Sequence, residues 1–442
     1  MANPSLPNLL ARSFLAGEPS LDQIVSRCTQ VLGRRWLWLR PLAQRYLETT
    51  TSKTRPRQRE VADFILRDPV FSRIWSERAH TLAIEQWLPA PSRMAPVPAA
   101  RAWDIPLIDS PAALADFLWL DYAELDWFAD LKKLTYKTAH PRLRHYYYRV
   151  LTKQSGGVRL IEAPKRRLKR LQREILAGIL EKIPPHPAVH GFFKGRSIRT
   201  FVAPHVGRRV VLRMDLRDFF VSFGAARIQA FFRTLGYPES VADLLGGICT
   251  NAVPRHVWHD AGSDIDPAEF ERVRSLYSRP HLPQGAPTSP ALANLCAYRL
   301  DCRLAGLAKS AGVTYTRYAD DLAFSGGSEF EKHVERFSTH VAAIALEEGF
   351  SVHHRKTRIM RRGVRQHLAG VVTNERINIL RADFDRLKAT LTNCVRHGPA
   401  SQNRTAHPSF RAHLDGRVAF VETINPERGK RLRTLFEQID WR

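Results

Sequence analysis

Cysteine is scarce and scattered. The five residues (Cys28, Cys249, Cys296, Cys302, Cys394) are odd in number, far apart and never in a C-x-x-C pair. That fits reduced thiols in a cytoplasm better than a disulfide framework or a zinc site. Acidic residues are also in short supply, 43 Asp+Glu against 68 Lys+Arg. Long apolar runs are missing. The longest charge-free stretch, Pro280 to Tyr298, contains four prolines and several polar residues, so no membrane span is expected. The first twenty residues carry Arg12 and Glu18 and no continuous apolar segment, so no secretory signal is expected either. With no lipidation signal or amphipathic anchor, the expected location is cytoplasmic and no membrane partner is expected.

What is present is an ordinary folding composition with an unusual charge. The 442 residues are 44% hydrophobic and 25% charged, enough for two or three domains with their own cores. The net charge of +25 makes the molecule repel itself unless a polyanion screens it. Nucleic acid is the commonest polyanion available.

Residues 1–100 read as a helical, basic extension, with helical spacing in Leu21-Ile24-Val25 and Val61-Phe64-Ile65. Lys53, Arg55, Arg57 and Arg59 alternate with other residues as an exposed basic turn, and Pro89, Pro91, Pro96 and Pro98 mark a linker. Seven of nine tryptophans lie between Trp36 and Trp127 and read as packing residues rather than base-stacking platforms. Ser155-Gly156-Gly157 is a turn into a short strand, Val158 to Ile161. Lys165 to Arg173 holds six basic residues, with Leu168, Leu171 and Ile175 on the opposite face. This is an amphipathic helix whose cations either meet a polyanion or are simply solvated. Arg209 to Met214 reads as a strand, and one long helix is expected from Ser289-Pro290 to just before Gly312. Residues 351–442 carry 19 Lys+Arg against 8 Asp+Glu. Leu380, Phe384, Leu387, Leu391 and Val395 share a helical face there, Gly398 stops the helix, and a second helix ends near Trp441.

Three segments carry chemistry. Tyr318-Ala319-Asp320-Asp321 lies between the apolar runs Val313–Thr316 and Leu322–Phe324, which predicts a β-hairpin whose turn presents adjacent carboxylates. Neighbouring anions in an apolar hairpin repel each other, and a divalent cation is the natural compensation. Asp215, 105 residues earlier, ends the apolar strand Val210-Val211-Leu212-Arg213-Met214. Two-metal phosphoryl transfer needs carboxylates from separate segments converging on ions about 3.5–4 Å apart. Between them, Leu282-Pro283-Gln284-Gly285-Ala286-Pro287 forms a loop leading into a helix, and Gly285 permits close backbone approach to a ligand.

In this order, strand aspartate, Gln-Gly loop, Asp-Asp hairpin, the chain resembles the reverse transcriptases, specifically the prokaryotic retron-type group, over about residues 105–442. The resemblance implies an α+β right-hand polymerase: fingers, a palm with a ferredoxin-like sheet and a helical thumb. The corresponding ranges are fingers with part of the palm at 101–210, palm at 211–370 with an insertion near 251–280, and thumb at 371–442. It implies that Asp215 and Asp320 bind two Mg²⁺, with Asp321 assisting and the Leu216 carbonyl facing the nucleotide metal. Phe220 matches the family's steric gate against a ribose 2′-OH. Arg159, Asp218, Gln284 and Gly285 would line the nucleotide site, with Arg159 gripping the triphosphate. Lys356 matches a lysine near the pyrophosphate that can act as general acid, although a plain surface charge remains open for it. Lys165, Arg166, Lys169, Arg170, Arg417, Arg428, Lys430 and Arg431 would bind RNA. The implied partners are a structured non-coding RNA serving as template and primer, its DNA product (msDNA), dNTPs and an effector protein in antiphage defence. No maturase or endonuclease domain is expected after Trp441.

Two departures stand out. Retron-type enzymes usually carry Asn-Ala-x-x-His before the first catalytic strand; here His205 keeps the histidine's place while Phe201 replaces the asparagine. Where they carry Val-Thr-Gly after the lysine segment, this chain reads Leu368-Ala369-Gly370. Two other readings stay open: a non-retron defence-associated reverse transcriptase with protein-primed or template-free synthesis, and a catalytically dead RNA-binding scaffold.

Overall fold

The computed structural model describes residues 5–17, 19–49, 56–87, 94–138, 140–152, 158–258 and 266–441. Lys53 and Arg55 of the basic turn, Pro89 and Pro91 of the linker and the Ser155-Gly156-Gly157 turn lie outside them. The chain forms two compact units, residues 1–184 with 220–296 and residues 185–219 with 297–442. The fold is α+β, and no helix among the described residues is long and apolar enough to cross a membrane.

The first unit opens with five helices, Leu6–Leu15, Leu21–Leu32, Leu39–Thr49, Gln58–Arg67 and Pro69–Arg78. Their apolar faces close on a core of their own that includes Phe14, Ile24, Leu42, Ile65 and Phe71. Local signals set the boundaries. Gly33 ends the second helix at φ +67, and Asp68 caps the fifth by accepting from the amides of Val70 and Phe71. Trp36, Trp38 and Trp75 pack in or against this core, as expected, whereas Trp87 and Trp119 are exposed. Arg57 reaches from the start of the fourth helix to Gln229, Glu239 and Asp243 and so anchors the extension to the rest of its unit.

Further along, strands β1 (Tyr146–Thr152) and β2 (Val158–Pro164) pair antiparallel, and the helix Arg166–Gly178 follows. That helix buries Leu168, Leu171 and Ile175, as its periodicity predicts, and adds a buried Gln172. Within the 251–280 segment, Val253, Trp258, Val273 and Tyr277 pack with Val158, Leu160 and Val221 into one core cluster, so its described parts contribute to the interior.

In the second unit, β3 (Val210–Arg217) is the central strand. It pairs antiparallel with β5 (Asp321–Gly326), which in turn pairs with β4 (Thr314–Tyr318). Two short strands, β6 (Ser351–Val352) and β7 (Arg358–Arg361), also pair with β3. Strands β8 (His367–Leu368), β9 (Val371–Val372) and β10 (Asn378–Ile379) form a small separate sheet. Three helices close the chain, Arg381–His397, Phe410–Ile424 and Pro426–Glu437. A continuous core runs from Val211 and Ala323 in the main sheet to Leu391, Val418 and Leu432 in these helices.

Three expectations need correction. The single helix expected from Ser289 to Gly312 is two, Ser289–Cys296 and Tyr298–Ser310, broken at Ala297, whose φ −85 and ψ 3 leave the helical region. The Arg227 guanidinium donates to the Cys296 carbonyl, which removes an acceptor that a continuous helix would use. On Arg381–His397 the buried face holds Leu387, Leu391 and Cys394, at i, i+4 and i+7, while Val395 is exposed. Asp321 lies in β5 rather than in the hairpin turn, so the turn itself is Ala319-Asp320.

The last two helices approach closely at Gly429, where an added Cβ would sit 2.4 Å from Glu422 Cα. Gly416, on the preceding helix, has nothing within 4 Å of such a Cβ. Gly429→Ala is therefore expected to cost about 1–3 kcal/mol through overpacking. Gly416→Ala should gain about 0.5–1 kcal/mol from helix propensity. Denaturant midpoints of the two variants should move in opposite directions, and a shared direction would contradict this packing.

Candidate active site

The second unit brings Asp215, Asp320 and Asp321 together by backbone register. Asp215 and Asp321 are direct partners across β3 and β5. The Leu216 amide donates to the Asp320 carbonyl at 2.9 Å, and the His353 amide donates to the Asp215 carbonyl at 2.7 Å. Strand end, hairpin turn and the segment before β7 are thus tied at one point. Lys356, in the single turn His354–Lys356, places Nζ 3.0 Å from Asp215 Oδ1 and 3.2 Å from Oδ2. Arg213, two residues before Asp215 on β3, grips Asp321 with Nε and Nη2 at 2.8–3.1 Å.

The carboxylates act on one another. Burial, then the charges of Asp215 and Asp321, push the Asp320 carboxyl up to about 6. Burial also raises Asp321, against the opposing pull of Arg213. An oxygen-only set of mutually repelling anions suits a hard divalent cation, so the residues present fit one. Among the described residues, no group of three or more His, Cys, Asp or Glu side chains is already gathered as a ready-made cage. Lys356 and Arg213 provide the balancing charge instead.

The turn that presents Asp320 is strained and heavily braced. Ala319 adopts φ +55, a left-handed conformation that costs an L-residue roughly 1–2 kcal/mol. Arg317 donates from Nη1 to the Ala319 carbonyl at 3.0 Å while its Nε and Nη2 clasp Asp301 at 2.7 and 2.6 Å. Both charged side chains of that pair are fully buried, and Tyr315 Oη donates to Asp301 at 2.8 Å. Gly191 lets another segment pass close by, since a Cβ there would lie 2.9 Å from the Ala319 amide.

Behind the hairpin, His205 is fully buried between Ser325 Oγ and Thr316 Oγ1, each at 2.7 Å. Thr316 gives its own proton to the Phe201 carbonyl, so His205 Nε2–H donates to Thr316 and Nδ1 accepts from Ser325. Burial, with the Arg208 charge, pushes the ring down to about 3, consistent with a neutral structural histidine. Phe201 fills the core and sets its ring 5.7 Å from that of Tyr318. Ala369 of the second departure sits at φ +46 between β8 and β9. Leu216 is buried, and Asp218 is half-buried at φ +50 with Arg217 Nε 3.6 Å away.

The remaining nucleotide-site candidates belong to the first unit. Arg159 projects, exposed, from β2 between buried Val158 and Leu160. The Glu162 amide on the same strand donates to the Gln284 carbonyl at 2.9 Å. Gly285, at φ +132, packs so close to the Glu162 carbonyl that a Cβ would lie 2.9 Å from it, which explains the glycine. Phe220 is half-buried, and its carbonyl accepts from Phe223, whose own carbonyl accepts from Leu282. Arg159, Phe220, Gln284 and Gly285 therefore sit on segments that bond to one another.

Of the basic residues, Arg166, Lys169, Arg170, Lys430 and Arg431 are exposed, while Arg417 and Arg428 are half-buried. The Arg428 guanidinium lies 5.0 Å from the centre of the Phe384 ring. Lys165 is occupied locally, donating to the carbonyls of Pro141 and Arg142 at 2.7 and 3.2 Å. Sequence reasoning passed over Arg213, Arg317 and Asp301. A cation two residues before a strand-end acid, and a lone arginine in an apolar strand, are the signals that mark them.

Comparison with known proteins agrees with this geometry. The profile of the family described as "Reverse transcriptase (RNA-dependent DNA polymerase)" matches residues 151–382. The retron Mx65 reverse transcriptase of Myxococcus xanthus is 47% identical over 66% of this chain and 64% of its own length, so the match spans just under two thirds of that relative. The retron Mx162 reverse transcriptase of the same organism is 35% identical over 77% of this chain and 69% of its own. The retron Ec86 reverse transcriptase of Escherichia coli is 31% identical over 67% of this chain and 82% of its own. The chain belongs to the reverse transcriptase family, whose class is RNA-directed DNA polymerase, a nucleotidyltransferase that depends on a divalent metal. Within that family it is of the retron type.

The Asp320 shift carries a stability consequence. Its carboxyl ionises near 6 when folded and near 3.8 ordinarily. The folded state thus holds the extra proton between those values, and ionisation above pH 6 costs stability that returns as pH falls toward 4. With a chelator present, Asp320→Asn should stabilise the protein at pH 7.5 by roughly 2–3 kcal/mol, and the gain should fade by pH 4. A lowered melting midpoint at pH 7.5 under those conditions would contradict the repulsive cluster.

Proposed function

We propose that this chain synthesises DNA on an RNA template as a retron-type reverse transcriptase, and that the convergence of Asp215, Asp320 and Asp321 at the end of β3 is its catalytic centre. Register and burial support that reading, because they hold three anions where a strand end, a turn and Lys356 meet. The cation would be Mg²⁺, two ions, which Asp215, Asp320 and the Leu216 carbonyl would hold while Asp321 supplies charge. Bound there, the ions would lower the pKa of a primer hydroxyl and neutralise developing charge on the phosphates. In the reaction the primer hydroxyl gives its proton to solvent, its oxygen bonds to the α-phosphorus of a dNTP, and the bond to pyrophosphate breaks in line.

The chain's own residues do the rest. Lys356 balances Asp215 in the resting arrangement and carries the proton that a departing pyrophosphate takes up. Arg159 holds the triphosphate as a forked cation, Gln284 and Gly285 line the nucleotide site, and Asp218 lies beside the strand that bears Asp215. Phe220 excludes the 2′-OH, which selects deoxynucleotides. Lys165, Arg166, Lys169, Arg170, Arg417, Arg428, Lys430 and Arg431 contact the phosphates of a structured non-coding RNA. As a retron enzyme the chain starts from a 2′-OH of that RNA, leaves a branched RNA–DNA product and serves antiphage defence with an effector protein.

Asp320→Asn should lower primer extension on an RNA template by at least about 10³-fold, the equivalent of several kcal/mol of lost transition-state stabilisation. Its affinity for the RNA should stay within roughly twofold of wild type, since the phosphate contacts lie on other residues. Equal losses of extension and binding, or unchanged extension, would contradict the assignment of Asp320, and wild type that extends no primer would return the chain to the scaffold reading.

A further inference from the structure

A buried ionic network in the first unit lies outside the carboxylate site and is not used by the chemistry above. Glu162 on β2 is fully buried, and so is His281, three residues before Gln284. His281 Nε2–H donates to Glu162 Oε1 at 2.9 Å, and its Nδ1 faces the Arg279 carbonyl at 2.7 Å. A carbonyl oxygen can only accept, so Nδ1 carries a proton, and with Glu162 ionised Nε2 carries one as well, which makes the pair a buried imidazolium and carboxylate. The second carboxylate oxygen accepts from Asn251 Nδ2 at 2.7 Å, and Asn251 Nδ2 also reaches Tyr148 Oη on β1 at 3.1 Å. Backbone bonds repeat the linkage: Asn251 and His281 exchange amide–carbonyl bonds at 2.9 and 3.0 Å, and Glu162 N–H donates to the Gln284 carbonyl. The Tyr277 ring stands edge-on 5.0 Å from the imidazole and helps exclude water. Burial alone would drive the histidine's pKa down, yet the Glu162 charge and hydrogen bond, with the Arg279 carbonyl, hold it above its ordinary value.

The geometry points to the His281–Glu162 pair as a positioning strut that locks the Gln284–Gly285 loop to β2, so that the loop and Arg159 meet an incoming dNTP as one rigid surface. Position along the chain makes the case. Glu162 bonds the histidine through its side chain and the loop through its amide, and Arg159 lies three residues earlier on the same strand. An ionic bond is used where a greasy contact would hold the core equally well, and its direction fixes register in a way that apolar packing does not. The strut touches no substrate, so its effect falls on nucleotide affinity through the loop rather than on the chemical step.

Two measurements test it. In the full-length wild-type protein at pH 7.5, ¹⁵N-resolved histidine spectra should show one imidazole with both nitrogens protonated, absent in His281→Gln; a singly protonated ring overturns the strut. In primer extension, His281→Gln and Glu162→Gln should each raise the dNTP KM roughly tenfold with kcat within about twofold. The double variant, in which two amides bridge the same gap without a buried charge, should recover most of the loss. Additive losses, or a fall in kcat with KM unchanged, would assign the pair to general stability and overturn the proposal. The KM arm rests on the polymerase reading. Wild type that incorporates no nucleotide defeats that reading, whereas incorporation with an unmoved KM in the variants defeats the strut alone.

Discussion

Mutual repulsion among Asp215, Asp320 and Asp321 is the constraint around which the second unit is organised. An antiparallel register brings two of them opposite each other, and a two-residue turn carries the third. Left alone, such a cluster would splay. Lys356 and Arg213 each neutralise one member. The third, Asp320, keeps a carboxyl that burial first, and the charges of Asp215 and Asp321 after it, push up to about 6. Anions kept close at a cost to stability are what a cation-dependent centre requires, because binding the ion then releases repulsion already built into the fold.

Holding that cluster takes more structure than the aspartates themselves provide. The turn is fixed by an arginine that donates to the Ala319 carbonyl and is itself immobilised by a buried carboxylate. Behind it, a neutral histidine joins β4 to β5 through two hydroxyls, and Phe201 packs against Tyr318. Phe201 thus supports the hairpin by apolar packing. A parallel economy operates in the first unit, where the glycine of the Gln-Gly loop is required by its contact with the Glu162 carbonyl.

Much of this was legible in the residues because the chemistry is local. A strand aspartate, a Gln-Gly loop and paired aspartates between apolar runs are short patterns with strict backbone demands; Asp215 does lie on a strand and Asp320 in a hairpin turn, although β3 runs on to Arg217 and Asp321 opens β5. The basic helix after β2 was readable for the same reason, its apolar positions falling on one face. What escaped depends on distance along the chain. Asp301 and Arg317 are sixteen residues apart, and Glu162 and His281 are 119 apart, so no periodicity links them. The break at Ala297 arises from a guanidinium sixty-nine residues away, and Asp321 belongs to a strand because Asp215 pairs with it. Tertiary partners decide such features, and a local pattern does not contain them.

Asp215, Asp320 and Asp321 are held to form a single cation-binding centre, and cation binding tests this without relying on polymerisation. Mn²⁺ titrated into the full-length protein, with bound ion followed by electron paramagnetic resonance, should saturate and should tighten when a dNTP is added. Asp215→Asn should weaken that binding by about tenfold or more. Mn²⁺ affinity identical in wild type and variant would mean that the aspartates repel one another for some other reason, and the account of the site would fail.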